Sequence, residues 1–339
     1  MSNDPMNNNN ALASWLQSHL PDCDGRYQLE KFASGQSNPS YLLNCGEQQY
    51  VLRRKPPGQL LASAHAVDRE YRLIKALQGS AVPVPTALAL CEDDGVIGSM
   101  FYIMSYEAGD VHWDPALPAI ETGQRRAYYQ SLIHTLASLH NVDYVFAGLQ
   151  DFGRPGNYFA RQLSRWTKQY QASATQTITA MDQLIDWLQA NLPDDDAQSS
   201  IIHGDYRLDN VMFFHNSPDV RAVLDWELAT LGHPMADLAY YLMALRLPGE
   251  GEIKGLQGLD LSALGIPEEA ELIDLYCQAR QIKSPANWDF YMAFSFFRLA
   301  AILQGVYKRG LDGNASSARA IRMGELVKPL AELGLASIK

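Results

Sequence analysis

The stretch IIHGDYRLDNVMFF, residues 201–214, sets His203, Asp205, Arg207, Asp209 and Asn210 between apolar residues, and VLDWE follows with Asp225 and Glu227. Charged groups flanked by strand-like apolar runs are costly near a core unless they are paired, solvated or bound to a cation. Residues 211–214 and 221–224 read as a hairpin, with Asn216, Ser217, Pro218 and Asp219 as turn formers. Pairing Phe214 with Arg221 sets Asn210 opposite Asp225, so that two oxygen-bearing side chains converge at the strand ends. A hard divalent cation such as Mg²⁺ takes one or two such ligands plus phosphate oxygens and water.

Asp205 stands five residues before Asn210. In a kinase catalytic loop that spacing separates the carboxylate receiving a hydroxyl proton from the asparagine holding metal. Phosphoryl transfer is the chemistry this pattern points to. His203 reads as a structural hydrogen-bonder, and Asp237, at the start of a predicted helix, as a cap or brace for the loop. Two residues stay open: Glu227 either supports the metal site or forms a structural ion pair, and Arg207 either binds an anionic part of the substrate or does the same.

HGDYRLDN, LDWE and HPMADLAY together resemble the aminoglycoside phosphotransferase and choline kinase-like family of small-molecule kinases, most closely the kinase-like domain joined to some acyl-CoA dehydrogenases. The resemblance runs from about Tyr27 to Leu333. It implies an α+β, protein-kinase-like two-lobed fold, with a small antiparallel-sheet N-lobe holding one helix and a larger, mostly helical C-lobe. It implies ATP and Mg²⁺ as cofactors, Asp205 as the group that accepts the hydroxyl proton, and Asn210 and Asp225 as metal ligands.

A phosphotransferase needs a nucleotide site in its first lobe. FASGQSNPSYLL offers Gly35 for close backbone approach and Ser34, Ser37 and Asn38 as hydrogen-bonding groups for phosphate, although no complete P-loop or G-x-G-x-x-G is present. In YVLRRK, strand alternation turns Leu52 to the core and Arg53 to the opposite face. Glu70 lies three residues after Val67 and four before Ile74, inside the apolar stripe of its helix, where a carboxylate needs a cation; Arg53 is the natural one. By resemblance, FYIMSYEAG is the hinge, with Met104 lining the adenine pocket and the backbone of Ser105 through Glu107 reading the base.

These residues need elements to hold them. At 339 residues and 47% hydrophobic content the chain suffices for a sizeable core and two lobes. Strand-like runs and one helix occupy the region from Tyr27 to Tyr106, and helical patterns follow at about 124–141, 158–192, 235–247, 268–282, 288–309 and 316–333. The expected division is 1–24 as a frayed N-terminus and first helix, 25–106 as a nucleotide-binding N-lobe, and 107–339 as a C-lobe with the catalytic loop and substrate pocket. Residues 246–265, rich in glycine, are either a substrate lid or a surface loop.

Other classes are set aside. A net charge of −11 argues against a nucleic-acid surface, which needs a basic patch. No apolar run approaches the roughly 18 residues of a membrane span, and MSNDPMNNNN lacks the features of a signal peptide, so no membrane partner and a cytoplasmic location are expected. Cys23, Cys45, Cys91 and Cys277 form no Cys-x-x-Cys pair and are expected as four reduced thiols. Only residues 226–236 separate Asp225 from Asp237, too few for a protein kinase's activation segment. The expectation is an ATP- and Mg²⁺-dependent kinase acting on a hydroxyl of a small molecule. A hydroxy acid or hydroxyacyl-CoA is the favoured acceptor, with an aminoglycoside or amino alcohol, or a non-catalytic nucleotide-binding module, as the alternatives. A metal-dependent hydrolase would need more ligands than this hairpin offers.

Overall fold

The computed structural model describes residues 6, 9–32, 38–56, 66–313 and 318–338. By compactness the chain forms two units. The first is Met1–Asp110, Val145–Gln150 and Met212–Ala229; the second is Val111–Tyr144, Asp151–Val211 and Thr230–Lys339. Asn210 therefore falls in one unit and Asp225 in the other.

The first unit opens with α1 (Asn10–His19), capped by the Asn9 side chain, which accepts from the N–H groups of Ala11 and Leu12. There follow β1 (Gln28–Lys31), β2 (Ser40–Cys45), β3 (Gln48–Arg54), α2 (Val67–Leu77), β4 (Ala87–Cys91), α3 (Asp94–Ile97) and β5 (Phe101–Ser105). The strands make one antiparallel sheet in the order β1-β2-β3-β5-β4. Alternation divides its faces: Leu43, Leu52, Phe101 and Ile103 share a core with Leu12 and Leu16 of α1, whereas Val51, Arg53, Tyr102 and Met104 point the other way. Helix α2 packs against β4 and β5 through its buried Leu73, Ile74 and Leu77.

The chain leaves this unit at β6 (Asp110–Val111). In the second unit come α4 (Thr122–Asn141), α5 (Tyr158–Ser173), α6 (Thr179–Ala190) and β7 (Ser200–Ile202). After the hairpin of β8 (Val211–Phe213) and β9 (Val220–Val223) come β10 (Thr230–Gly232), α7 (Met235–Leu242), α8 (Leu261–Leu264), α9 (Glu269–Arg280), α10 (Trp288–Leu311), α11 (Ala318–Arg322) and α12 (Val327–Ala336). Helix α10 is the centre, packing on α5, α6, α7 and α12. Strands β7 and β10 pair antiparallel, Ser200 opposite Gly232, so the segment at His203 and the start of α7 leave one ladder together. A Cβ on Gly232 would lie 2.6 Å from Ile202 Cδ1 and 2.7 Å from Tyr158 Cε2, so a larger residue there would force both side chains to shift.

Four expectations are corrected. The helix expected over 158–192 is two, because the Ser173 hydroxyl bonds back to Gln169 O and Gln304 Nε2 takes Ser173 O at 2.7 Å, closing α5. Helix α10 is long and apolar enough to cross a membrane by length and composition, yet 83% of its apolar window is buried inside the molecule, as a core helix requires. Cys23 and Cys45 are joined in a disulfide, with Cys91 and Cys277 free, because the turn after α1 meets the end of β2. The hairpin register also differs. Phe214 N–H donates to Asp219 O and Ser217 N–H to Phe214 O, so the turn is tighter and Phe214 faces Asp219 instead of Arg221.

The disulfide spans 22 residues, for which chain-entropy reasoning gives about 3 kcal/mol. Cys45→Ser, or reduction of the wild type, is expected to lower the urea midpoint accordingly. Identical midpoints for oxidised wild type and variant would show that the cross-link adds nothing.

Candidate functional site

Two clusters of polar side chains stand out, one in each unit. In the second unit, Asp237 is buried on the first turn of α7, and its carboxylate accepts from His203 N–H at 2.6 Å and Gly204 N–H at 2.9 Å. It caps nothing in its own helix; it braces the loop. His140 Nε2 lies 3.3 Å from the same carboxylate, and His140 Nδ1 is 2.6 Å from the Tyr276 hydroxyl. Burial lowers the His140 pKa against the pull of Asp237, so the ring is neutral, and the network assigns its proton to Nε2. Burial alone would raise the Asp237 carboxyl, but the hydrogen bond and proximity of His140, the nearness of His203 and the Gly204 N–H together hold it below the usual carboxylate range.

Gly204, at φ +83°, makes the turn that Asp237 pins, a conformation open to glycine. Beyond it Asp205 N–H donates to His203 Nδ1 at 3.2 Å. The Asp205 carboxylate is held by Arg207 Nε at 3.4 Å and Asn210 Nδ2 at 3.1 Å. Asn210 Nδ2 also donates to Asp205 O at 2.8 Å, so Oδ1 is the Asn210 atom left to act as an oxygen ligand. Arg207 also bonds Asp209 at 2.8 Å, with its side chain 43% exposed. The structure thus brings Asp205, Arg207, Asn210 and Asp237 together.

A cavity of about 300 Å³ adjoins this loop within the same unit, lined by Arg207, Leu208, Asp209 and Tyr240. Its far wall includes Glu252, Ile253 and Lys254 from the glycine-rich stretch. That stretch is docked: Gly255 N–H donates to Pro248 O at 2.7 Å, Lys254 pairs with Asp114 and Glu252 with Arg322.

In the first unit, Arg53 Nε donates to Glu70 Oε2 at 2.7 Å, while Asn38 Nδ2 at 2.6 Å and Tyr102 OH at 3.1 Å complete the buried Glu70 carboxylate. Arg53 also reaches Asp225 Oδ1 at 2.8 Å and Glu227 Oε2 at 3.8 Å. Burial disfavours the Arg53 charge, but Glu70, Tyr102 and Asp225 outweigh it and raise its pKa. Burial likewise pushes Glu70 up against the pull of Arg53. Asp225 adopts φ +61°, a left-handed conformation that costs a non-glycine residue about 1 kcal/mol.

Asn38 is fully buried and its amide donates to Glu70, bracing the carboxylate that holds Arg53. Gly35, Ser37 and the neighbouring Ser34 lie outside the described residues. Met104 stands beside Val51 and Ala87 on the sheet face that carries Arg53, an apolar patch of three strands. Ser105 N–H is given to Thr86 O, which removes it from the groups able to read a base. Glu107 accepts from Ser105 Oγ at 2.6 Å and Arg221 Nε at 2.8 Å. Among the described residues no three His, Cys, Asp or Glu side chains converge as a metal cage; Mg²⁺ needs only one or two protein oxygens. Sequence reasoning did not find that the Arg298 guanidinium bonds Gly204 O, a contact between segments 94 residues apart.

A crystal structure from Ralstonia eutropha, provisionally described as an aminoglycoside phosphotransferase, has a TM-score of 0.89 and 48% identity over 96% of this chain and 97% of its own. A thermostable mutant of aminoglycoside phosphotransferase APH(4)-Ia, solved with AMP-PNP and hygromycin B, has a TM-score of 0.62 at 16% identity over 96% and 98%, a likeness of fold. The fold is the kinase-like one of the small-molecule kinases. The model of the phosphotransferase enzyme family matches residues 28–291, and the chain belongs to that family. Mouse acyl-CoA dehydrogenase family member 10 is 49% identical over 95% of this chain, and rat family member 11 is 45% identical over 96%. The chain spans only 30% and 42% of the length of those two relatives.

Two stability tests follow. Asp237→Asn is expected to cost about 3 kcal/mol at neutral pH by disrupting a buried charged network. Because the native Asp237 pKa is depressed, its contribution is complete above the usual carboxylate range and lost as pH falls through the native value. Urea unfolding should therefore show the gap between wild type and variant narrowing below about pH 4; a gap constant with pH contradicts the charge assignment. Arg53→Met and Glu70→Leu should each cost about 3 kcal/mol and the double variant less than their sum, since each single change strands a buried charge. Additive losses in a double-mutant cycle would mean the two side chains are uncoupled.

Proposed function

We propose that this chain transfers the γ-phosphoryl group of ATP, with Mg²⁺, to a hydroxyl group of a small molecule, a hydroxy acid or hydroxyacyl-CoA by preference. The observation that carries the reading is the Asp205 carboxylate, held by Arg207 and Asn210 beside a cavity lined by the same loop. A carboxylate held at a cavity edge can orient a hydroxyl and receive its proton. Asn210 and Asp225 supply hard oxygen donors of the kind Mg²⁺ takes, and the bound ion would offset charge on the transferred phosphoryl group. Arg53, positioned by Glu70, binds the α- and β-phosphates, and the patch of Val51, Met104 and Ala87 takes the adenine. Glu227 supports Asp225 through their shared partner Arg53. AMP-PNP in the APH(4)-Ia complex supports ATP as the donor.

The acceptor class is argued from the cavity wall. Leu132, Leu245, Leu247 and Leu299 suit an aliphatic chain, and Arg207, Lys254 and Arg319 suit an anionic group. The acyl-CoA dehydrogenase names of the relatives support the same choice. APH(4)-Ia is complexed with hygromycin B, which keeps an aminoglycoside or amino alcohol as the competing acceptor.

ADP release from ATP and Mg²⁺ across hydroxy acids, their CoA esters, aminoglycosides, amino alcohols and sugars is the test. Turnover with a hydroxy acid or its CoA ester, lowered by orders of magnitude in Asp205→Ala and Asp225→Ala, is expected; Asp225→Ala should also weaken nucleotide–metal binding. Wild-type-like turnover in either folded variant rules out its role. Nucleotide binding without turnover on any acceptor favours a regulatory module.

A further inference from the structure

Three tyrosines meet beside the loop that carries Asp205. The ring of Tyr241, near the end of α7, lies 5.7 Å from that of Tyr206 and 6.4 Å from that of Tyr129, centre to centre. All three side chains are buried, and a phenol taken out of water needs a hydrogen-bond partner. Two of them have one: Tyr206 OH donates to Leu132 O at 2.8 Å and Tyr129 OH to Pro115 O at 2.6 Å. Tyr241 is 5% exposed, and among the described residues no group lies within hydrogen-bond distance of its hydroxyl.

Tyr241, Tyr129 and Pro115 all stand in the wall of the cavity of about 300 Å³, together with Leu132, Leu245 and Leu299. Ligand sites are mostly apolar with a few polar groups that fix orientation, and an unpaired hydroxyl in a leucine-rich wall fits that pattern. Phenylalanine would fill the same space without the cost of a buried, unsatisfied oxygen. Tyr241 also follows Asp237 by four residues, so the helix that braces the Asp205 loop through Asp237 carries this hydroxyl on the same side. Burial, then the nearness of Tyr129 and Tyr206, raises its pKa well above that of an ordinary phenol, so it keeps its proton and offers a donor. The atom that takes this donor must carry a lone pair: a carboxyl or thioester carbonyl has one, and an ammonium has none.

We infer that the Tyr241 hydroxyl donates to the acyl oxygen of the acceptor and so selects a hydroxy acid or its thioester over an amine-bearing acceptor. The inference rests on the phosphotransfer reading and names the contact that sets its acceptor class. A site built to hydrogen-bond a substrate group rejects analogues lacking that group, because its own polar atom is then left unpaired.

Tyr241→Phe keeps the ring and removes only the hydroxyl. Turnover with MgATP is measured on the hydroxy acid and CoA ester that wild type uses fastest, and on the diol matching that acid, which keeps the reacting hydroxyl and lacks the acyl oxygen. The KM for ATP and thermal unfolding without acceptor are measured alongside. Expected in Tyr241→Phe is a fall in kcat/KM of about tenfold to a hundredfold on the acid and the ester. The kcat/KM on the diol and the KM for ATP should stay at wild type, and the unfolding temperature should be no lower. Unchanged kcat/KM on the acid and ester, with Asp205→Ala inactive, overturns the contact and leaves phosphotransfer standing. An equal fall on the diol overturns the acyl assignment, as does a fastest acceptor that is an amine without an acyl oxygen. A lowered unfolding temperature shows the hydroxyl bonded within the protein and overturns the contact too. Wild-type activity in Asp205→Ala, or no turnover on any acceptor, overturns the phosphotransfer reading and this inference with it.

Discussion

The second unit depends on one buried carboxylate. Asp237 is an anion taken out of water, and it stays charged only because two backbone N–H groups and a neutral histidine donate to it. A buried charge so satisfied tolerates few alternative geometries, since displacing any donor leaves it exposed to the full desolvation penalty. The backbone at His203 and Gly204 is therefore placed by α7, and α7 by its packing on α10. The β7–β10 ladder feeds both segments from one end, so the clamp closes over a short stretch of chain.

The first unit solves the opposite problem. There the fixed element is a cation, Arg53, with Glu70, Asp225 and Glu227 all within 4 Å. Glu70 is fully hydrogen-bonded by protein groups and belongs to the core. Asp225 is different: its carboxylate is 42% exposed and its backbone sits in a sparsely populated conformation. Three carboxylates around one guanidinium leave an excess of negative charge, which a divalent cation would relieve. Strain and surplus charge at one residue are what a ligand-binding carboxylate shows and a structural ion pair does not require.

The parts legible in the sequence were those set by periodicity. Period-two alternation in YVLRR was enough to turn Arg53 away from Leu52, and helical spacing was enough to place Glu70 in an apolar stripe and so to pair them. The kinase-like fold was legible through the motifs, and the major helices through their apolar stripes. What escaped notice depends on contacts between segments far apart in the chain. Asn38 looks like a loop residue until α2 packs beside it. The break between α5 and α6 follows from Gln304, 131 residues away. The Cys23–Cys45 link needs the sheet to bring β2 to α1. Hairpin register failed for a local reason: Asn216 takes φ +56°, and the turn closes two residues earlier than its composition suggested.

Tyr240 and Arg298 show the limit most clearly. In the sequence, Tyr240 closes the HPMADLAY motif beside a second tyrosine and Arg298 stands among aromatic residues that suit a pocket or a core, and neither pattern says what the two side chains touch. Only the fold shows that Arg298 has no carboxylate partner among the described residues and gives its hydrogen bond to Gly204 O. The cost of burying that cation is offset by two aromatic faces and by its hydrogen bond to Gly204 O. A hydrophobic residue of similar size would fill the same space on α10 at lower cost. That a cation stands there instead argues that this part of the core is shaped by the Gly204 carbonyl, which needs a donor from α10.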